Sequence, residues 1–333
     1  MKVSDFYYEL PDAAIAQTAI EPRHDSRLLD TRDMSDRRFF ELADMLRSDD
    51  LLVVNNTRVR AARLVGRRLE SGGRVELLLL ERREDGLWMA LAKPARRLRP
   101  GVLIEFEGLT ATIESHPTAG LVQVSLDADD EELAIAAAGE MPLPPYFTGQ
   151  LAHPDRYQTL YAAAPGSAAA PTAGLHFTNE LTTKLADKGV EMASVDLHVS
   201  LDTFRPMTVE DVEDHQMHSE WCTVPDETAE AIASANRVIA VGTTVVRTLE
   251  SFADNHGDVS AGARQTDIFI APGYQFRVVD ALITNFHMPS STLLVLLAAF
   301  MGERWRETYL TALERGYRFL SFGDAMLAER IAS

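Results

Sequence analysis

Residues 61–126 constrain the fold of this chain more than any other part, because they contain six short apolar segments separated by turn residues. The segments span 61–69, 74–81, 87–92, 102–106, 109–115 and 121–126. Every connection between them contains glycine. Closely spaced strands with glycine-marked turns are typical of a small antiparallel barrel. We therefore predict an antiparallel β-barrel here, followed by a short helix at 129–139.

The pattern changes after about residue 170, where predicted helices and strands alternate. A helix is expected over 178–188, and a buried strand at 238–241 precedes a helix at 245–252. Further strands are predicted at 267–271, 278–286 and 317–321, the last leading into a terminal helix. Alternation of this kind indicates βαβ units and a mainly parallel sheet.

The apolar run at 51–54 is expected to join that sheet, which makes the barrel an insertion. The predicted class is α/β. We expect residues 1–57 and 146–333 to form a layered α/β/α domain with a mainly parallel sheet, and residues 58–145 to form an inserted small antiparallel β-barrel domain. Ligands of open α/β sheets bind at the carboxyl ends of the strands, so the site is sought there.

The charge is distributed unevenly along the chain, whose net charge is −18. Residues 58–99 contain twelve Lys or Arg and five acidic residues, a net charge of +7 that leaves −25 for the remainder. A basic segment in an acidic protein can hold phosphates while the rest repels them. Charge alone leaves open the alternative that these arginines simply lie on the solvent-exposed face of the strands.

Composition excludes several classes of protein. The single cysteine, Cys222, excludes a disulfide framework and a CxxC redox pair. The longest apolar stretch, 293–301, is far shorter than the roughly 20 residues that span a bilayer. The amino-terminal segment has no apolar signal-peptide region. We expect a soluble, cytoplasmic protein without membrane association.

Polar clusters follow several predicted strands. Gly242-Thr243-Thr244 lies between a buried strand and a helix, where N–H groups and hydroxyls suit a phosphate, a carboxylate or a ribose. A capped turn without a ligand explains the same residues. Arg247, one helical turn on, is placed to clamp a carboxylate.

Three histidines lie at predicted functional edges: His176, His198 and His287. A histidine at such an edge is a candidate for proton transfer, although any single one can also be structural. His215, His218 and Glu220 offer two imidazoles and a carboxylate that suit zinc or iron, but their spacing matches no HExxH pattern. A metal site is therefore the weaker interpretation.

Nine sequence blocks follow one another through most of the chain. They are PLPPYF (142–147), RYQTLYA (156–162), AAPTAGLHFT (169–178), HVSLDTFRP (198–206), MHSE (217–220), VGTTVVRTLES (241–251), TDIFIAPGY (266–274), LITNFHMPSSTLL (282–294) and YRFLSFGDAML (317–327). In this order they resemble the S-adenosylmethionine:tRNA ribosyltransferase-isomerases of queuosine biosynthesis, with similarity from Asp5 to Met326. Departures from the family pattern are Asn56, Ser200, Asp202 and Ser290.

The resemblance implies an α/β domain with an inserted barrel and no metal requirement. It implies transfer and isomerisation of the ribosyl moiety of S-adenosylmethionine onto 7-aminomethyl-7-deazaguanine at the tRNA wobble position. The product is epoxyqueuosine-tRNA, and adenine and methionine are released. S-adenosylmethionine is then a consumed co-substrate, and no cofactor is expected. The partners are S-adenosylmethionine and a tRNA carrying that base, and the protein is expected to be a monomer.

The resemblance also assigns roles to residues of this sequence. The base that removes the acidified ribose hydrogen is expected to be His176 or His198, with Glu220 and His287 as the next candidates. The expected substrate-binding residues are Thr172, Arg205, Thr243, Thr244, Arg247, Thr284, Asn285, Tyr146 and Phe177. Arg247 would hold a carboxylate or ribose. The rings of Tyr146, Phe147 and Phe177 would stack on a splayed base unless they are core residues. The tRNA backbone would contact Arg58, Arg63, Arg96, Arg97 and Arg99.

Other classes of function remain as alternatives. A metal-dependent hydrolase would use His215, His218 and Glu220. A non-catalytic RNA-binding module would use the basic barrel and ignore S-adenosylmethionine. A conventional methyltransferase is disfavoured, because the glycine-rich strand–loop signature is missing.

Overall fold

The computed structural model describes residues 1–149, 151, 153–199 and 206–331. The strands are β1 (Arg27–Asp30), β2 (Ser35–Arg38), β3 (Asp50–Asn55), β4 (Thr57–Val59), β5 (Arg63–Arg68), β6 (Arg74–Arg82), β7 (Trp88–Lys93), β8 (Leu103–Phe106), β9 (Leu109–Ile113), β10 (Leu121–Asp127), β11 (Gly139–Glu140), β12 (Ala164–Ser167), β13 (Glu191–Leu197), β14 (Glu220–Val224), β15 (Arg237–Val241), β16 (Gly262–Thr266), β17 (Ala281–Asn285) and β18 (Ala325–Glu329). The helices are α1 (Leu42–Met45), α2 (Glu131–Ala138), α3 (Asn179–Asp187), α4 (Asp226–Ser234), α5 (Thr243–Phe252), α6 (Thr292–Met301) and α7 (Arg304–Glu314).

The chain divides into two compact units. The sheet unit comprises Met1–Arg58, Pro144–Ala164 and Ala170–Ser333, and the barrel unit comprises Val59–Leu143 and Pro165–Ala169. Within the described part of the chain, no helix is both long and apolar enough to cross a membrane.

The sheet unit is built on a nine-stranded sheet in the order β16-β14-β13-β3-β15-β17-β18-β1-β2. Its central strands β13, β3, β15 and β17 are mutually parallel, and β18 is parallel to β1. The pairings at β14, at β2 and between β17 and β18 are antiparallel. All residues of β3 and β17 are buried, as strands covered on both faces require.

Helices cover both faces of this sheet. On one face Leu52 and Val54 share a buried core with Leu181 and Leu185 of α3. Because side chains alternate along a strand, Leu51 and Val53 face the opposite side. Helix α5 packs against β13, β3, β15 and β17, and α6 packs against β18. The predicted α/β/α layering is confirmed.

The barrel unit closes on itself. Its sheet runs in the order β11-β5-β6-β7-β10-β9-β8, and β5 also pairs with β8. This pairing closes six antiparallel strands into a barrel, through Arg67 opposite Glu105 and Arg68 opposite Ile104. The alternating buried residues of these strands fill the interior. The predicted barrel is confirmed, and its helix is α2.

Three predictions in the carboxyl-terminal part of the chain are wrong. Residues 317–321 form no strand, and the segment after them is β18 rather than a helix. Phe319 is fully buried like a strand residue, but Leu320 has a φ of 70°, which breaks the extended backbone. The strand expected at 267–271 lies earlier, as β16, and α7 was not predicted. Apolar content alone does not distinguish a buried loop from a buried strand.

The pairing of β5 with β8, which we call the barrel seam, predicts that a larger residue at Gly66 destabilises the barrel. A Cβ there would lie 2.3 Å from the Glu105 carbonyl oxygen and 2.6 Å from the Phe106 ring. Gly66→Ala should therefore separate β5 from β8 and destabilise the barrel by about 1–3 kcal/mol. Faster hydrogen exchange of the β5 and β8 amides measures this effect. Arg67→Ala is the control, because the Arg67 side chain is exposed. Equal exchange in wild type and Gly66→Ala would show that the seam tolerates a methyl group.

Candidate functional site

The carboxyl ends of the central parallel strands open into a cleft of about 590 Å³ in the sheet unit. We call it the sheet-edge cleft. Its polar lining is Tyr146, Thr172, Thr243, Thr244, Thr284, Asn285, His287, Ser291 and Ser321. Its apolar lining includes Val199, Met288, Leu293 and Leu320. The cleft thus collects residues that the sequence placed separately at strand ends.

The amino terminus of α5 supplies hydrogen-bond donors to this cleft. Gly242 joins β15 to α5 with a φ of 95°, a backbone conformation that glycine adopts without strain. The first N–H groups of a helix have no partner within the helix. At Thr243 and Thr244 these groups accompany two hydroxyl-bearing side chains that line the cleft. The arrangement favours an anionic or hydroxyl-rich ligand.

Asn55, at the end of β3, holds this edge together, and sequence reasoning missed it. Its Nδ2 donates to the Leu197 carbonyl oxygen at 3.0 Å and to Thr244 Oγ1 at 3.4 Å. Its Oδ1 accepts the N–H groups of Leu197 at 3.2 Å and Thr57 at 3.1 Å. Asn55 therefore ties the ends of β3 and β13 to the start of α5. A signal was present, since it is the first polar residue after the apolar run 51–54.

His287 is the imidazole that lines the cleft. Its Nε2 lies 3.1 Å from Thr284 Oγ1, and its backbone N–H donates to the Tyr309 hydroxyl at 2.8 Å. The Tyr8 hydroxyl donates to its carbonyl oxygen. Burial lowers the pKa of His287 to about 3, so the imidazole is neutral at physiological pH.

His176 lies behind the cleft rather than in its lining. Its Nε2 is 3.0 Å from Asn285 Nδ2, and its Nδ1 is 2.7 Å from Ser26 Oγ. Asn285 Oδ1 in turn accepts a hydrogen bond from Thr172 Oγ1 at 3.0 Å. Both ring nitrogens of His176 are thus engaged, and the residue orients the Asn285 amide toward the cleft.

His198 follows the last residue of β13, beside the cleft residue Val199. Its Nε2 lies 3.4 Å from Asp196 Oδ2, and its side chain is 35% exposed. Its backbone N–H donates to the Trp221 carbonyl oxygen at 3.0 Å. The structure therefore separates the three histidines: only His287 lines the sheet-edge cleft.

Glu220 and Arg247 form a buried ion pair. Their side chains are 3% and 4% exposed, and Arg247 Nη1 donates to Glu220 Oε2. Arg247 Nε also donates to the Ile268 carbonyl oxygen at 3.3 Å. Neither residue lines the cleft. Nε and Nη1 of Arg247 are thus engaged within the protein, so its role as a clamp for a substrate carboxylate stays a prediction that this geometry does not support.

The aromatic candidates divide into one cleft residue and two packing residues. Tyr146 lines the cleft, its hydroxyl lies 2.5 Å from Ser321 Oγ, and burial raises its pKa to about 12. Phe177 is fully buried in the sheet-unit core against Phe39, so it is not a stacking surface for a base. Phe147 packs against Phe322 with ring centroids 5.2 Å apart.

The arginines predicted to bind tRNA differ in their availability. Arg96, Arg97 and Arg99 are exposed between β7 and β8, and none forms an ion pair within the described ranges. Arg63 is held by Glu76 at 2.8 Å and Glu140 at 3.3 Å. Its charge is therefore largely compensated, unlike that of the other three. Arg58 belongs to the sheet unit and is exposed.

Some predicted residues cannot be placed, and the metal arrangement lacks geometric support. Arg205, Ser200 and Asp202 lie outside the described residues. Among the residues that are described, no group of three or more His, Cys, Asp or Glu side chains is arranged to hold a metal ion. His215 instead packs against the Phe269 ring, and Glu220 pairs with Arg247.

The two buried histidines predict a pH dependence of stability. The pKa of His176 and of His287 is lowered from 6.5 to about 3 in the folded protein. Below pH 6.5 the unfolded chain therefore binds protons that the folded protein excludes. The free energy of unfolding should fall from about pH 6 to pH 4, by roughly 1.4 kcal/mol per pH unit for each histidine.

Urea unfolding of His287→Gln between pH 6 and pH 4 isolates one of these contributions. The slope of unfolding free energy against pH should be smaller than in wild type by roughly 1.4 kcal/mol per pH unit, which corresponds to one proton. His116→Gln, at an exposed histidine, should leave the slope unchanged. A wild-type slope in His287→Gln would contradict a neutral, buried imidazole.

Comparison with known proteins connects this site to a family. The model of a family described as queuosine biosynthesis protein matches residues 3–328. A protein of Desulfitobacterium hafniense is 48% identical over 98% of this chain and 99% of its own length. A protein of Heliobacterium modesticaldum is 50% identical over the same shares. Both are named S-adenosylmethionine:tRNA ribosyltransferase-isomerase.

A solved structure agrees. The S-adenosylmethionine tRNA ribosyltransferase of Thermotoga maritima is 36% identical, with a TM-score of 0.55, covering 97% of this chain and 99% of that one. The nine sequence blocks had predicted the same relationship. The chain belongs to the S-adenosylmethionine:tRNA ribosyltransferase-isomerase family of queuosine-biosynthesis enzymes.

Proposed function

We propose that this protein transfers and isomerises the ribosyl group of S-adenosylmethionine onto 7-aminomethyl-7-deazaguanine at the wobble position of a tRNA. The product is epoxyqueuosine-tRNA, and adenine and methionine leave. S-adenosylmethionine is consumed as a co-substrate. The observation that carries the proposal is the sheet-edge cleft, which combines helix-terminal donors, hydroxyl groups and a neutral imidazole in a member of this family.

The lining of the cleft suits a nucleoside sulfonium. Thr243, Thr244 and the N–H groups at the start of α5 offer hydrogen bonds to ribose hydroxyls or to the methionyl carboxylate. Met288 and Leu293 offer an apolar wall for the adenine ring. No arginine or lysine lines the described cleft, so it places no cationic side chain against the positive sulfonium.

The reaction needs a base for the ribose C5′ hydrogen that the sulfonium acidifies. We assign this role to His287, because it is the imidazole in the cleft lining. Burial lowers its pKa and makes it a weaker base than free imidazole, so its contribution depends on its position beside the ribose. When Nε2–H donates to Thr284 Oγ1, Nδ1 carries the lone pair that accepts the proton. His176 is assigned a positioning role through Asn285, whose amide it orients.

The assignment predicts the kinetics of His287→Asn. Turnover should fall by about 10²–10⁴, the usual contribution of a positioned base, while the KM for S-adenosylmethionine changes little. His256→Gln, at an exposed histidine, is the control. Turnover within tenfold of wild type in folded His287→Asn would assign the proton to another group, with His198 tested next.

The basic barrel predicts a salt-dependent contribution to tRNA binding. Changing Arg96, Arg97 and Arg99 together to glutamate should weaken binding and flatten the dependence of affinity on salt, by roughly 0.7–0.9 in slope for each phosphate that the variant no longer binds. Filter binding at several salt concentrations measures both effects. Arg63→Gln, which removes a compensated charge, should have a smaller effect. Wild-type affinity in the triple variant would place the tRNA elsewhere.

The activity itself is tested with S-adenosylmethionine labelled in its ribose and a tRNA that carries the aminomethyl base. Label on the tRNA, together with free adenine, is the expected result. Intact S-adenosylmethionine with folded protein would refute the proposed reaction. Persistence of the activity in chelator would separate it from a metal-dependent hydrolase, and dependence on S-adenosylmethionine would separate it from an RNA-binding module.

A further inference from the structure

A second, smaller cleft of about 270 Å³ lies in the sheet unit beside the first. We call it the arginine cleft, because Arg23, Arg156 and Arg318 line it. Ser321 lines both this cleft and the sheet-edge cleft. Arg23 also lines a broader cleft, which Arg58 borders. The arginine cleft therefore adjoins the proposed reaction site on one side and, on the other, this broader cleft, whose lining also includes Glu21 and Asp155.

Backbone carbonyl groups hold the three guanidinium groups in place. Arg23 donates to the Gln158 carbonyl oxygen at 2.7 Å and to that of Asp155 at 3.1 Å. Arg156 donates to the carbonyl oxygen of Ile20, and Arg318 to that of Thr18, each at 2.9 Å. Carbonyl groups orient a guanidinium without neutralising its charge. The side chains are thus fixed in position before any ligand binds.

Two carboxylates outside the lining, Glu21 and Asp324, partly compensate the positive charge of the cleft through ion pairs with Arg156 and Arg318. None of its lining residues is acidic. Glu21 pairs with Arg156 from a side chain that is 65% exposed. Arg318 Nη2 is buried without a hydrogen-bond partner in the described chain, and Asp324 Oδ1 lies 3.7 Å away, beyond hydrogen-bond reach.

The neighbouring groups respond to this charge. Burial and the charge of Arg156 lower the pKa of Arg23. Burial, followed by the charges of Arg318, Arg156 and Arg23, lowers the pKa of His176. The cleft has no acidic residue in its lining, and the buried Arg318 Nη2 has no hydrogen-bond partner in the described chain, which indicates a site that an anion completes. Planar guanidinium groups suit the paired oxygens of a phosphate.

We infer that the arginine cleft binds a backbone phosphate of the tRNA anticodon loop, next to the nucleotide whose base enters the sheet-edge cleft. This inference rests on the proposed function. An anticodon base is read only when it is splayed from its neighbours, which brings its flanking phosphates to the rim of the pocket that receives the base. The arginine cleft adjoins the reaction site through Ser321, so a phosphate bound there would lie beside the base in the sheet-edge cleft. The methionyl carboxylate of S-adenosylmethionine is the other possible source of an anion.

The test uses full-length protein and an anticodon stem-loop RNA carrying the aminomethyl base. Arg318→Gln and Arg156→Gln should each weaken RNA binding about tenfold and reduce the salt slope by roughly 0.7–0.9, as expected when one phosphate is no longer bound. The KM for S-adenosylmethionine should stay within about threefold of wild type, because a uniform loss of its binding would appear there. Arg306→Gln, at an arginine outside these clefts that pairs with Glu303, is the matched control.

A second measurement needs only one folded arginine variant, so it remains decisive if Arg318→Gln fails to fold. Neutral methylphosphonate linkages are placed one at a time around the anticodon loop, and binding to wild-type protein is measured. One linkage should reproduce the loss of affinity seen in the arginine variants. That linkage should cause no further loss in the variant that folds, which identifies the phosphate that the arginine binds.

These two measurements distinguish a tRNA phosphate from the methionyl carboxylate as the anion in the arginine cleft. Unchanged RNA affinity with a tenfold higher KM for S-adenosylmethionine would overturn the inference and place the methionyl carboxylate in the arginine cleft. The inference would also be overturned if, at every linkage, the affinity lost through the methylphosphonate simply added to the affinity lost through the arginine variant. Coupling between one linkage and Arg318 or Arg156 would support the phosphate site even if no ribosyl transfer were observed, because this assay measures binding and not turnover.

Discussion

The parallel pairing of β13, β3, β15 and β17 is the constraint on which the proposed site depends. Val54 of β3 lies opposite Ser194 of β13 and Val241 of β15, and Val241 lies opposite Ile283 of β17. All four strands therefore end within three residues of this common row. A register slip by one residue would turn every buried side chain to the other face, so the apolar layers on both sides fix this alignment.

Because these strands end close together, the polar residues at their ends gather into one cleft within an otherwise apolar unit. Asn55 uses its amide to join two strand ends and the start of α5. Thr172, Asn285, His176 and Ser26 form a continuous hydrogen-bonded chain behind the cleft. Buried polar groups of this kind are costly unless they are paired, and pairing holds them rigid. The polar side chains of the sheet-edge cleft are thus held in position before a substrate enters. In the arginine cleft, backbone carbonyl groups hold the guanidinium groups in position in the same way.

Much of the architecture was predictable, because it is encoded in local periodicity. The six barrel segments correspond to β5–β10, with bounds that differ by at most two residues. Thr243, Thr244, Thr284, Asn285 and His287 were predicted at strand ends and do line one cleft, since parallel strands bring their ends together. Residues 317–321 were mistaken for a strand because burial in a loop and burial in a strand select the same apolar residues.

The remaining features depend on contacts distant in sequence, which local patterns do not encode. Phe177 resembles a stacking residue until Phe39, far away in the chain, is seen against it. Arg247 resembles a carboxylate clamp until Glu220 occupies it. Arg23, Arg156 and Arg318 lie far apart in the sequence, and only the fold reveals a shared cleft.

Hydrogen–deuterium exchange with and without S-adenosylmethionine tests most directly whether the sheet-edge cleft holds this substrate. We predict slower exchange at Thr243 and Thr244, the first residues of α5, which line the cleft, and at 285–288. Residues 94–99 of the barrel should exchange at an unchanged rate. Protection confined to other segments, with binding confirmed by calorimetry, would contradict the assignment of the cleft.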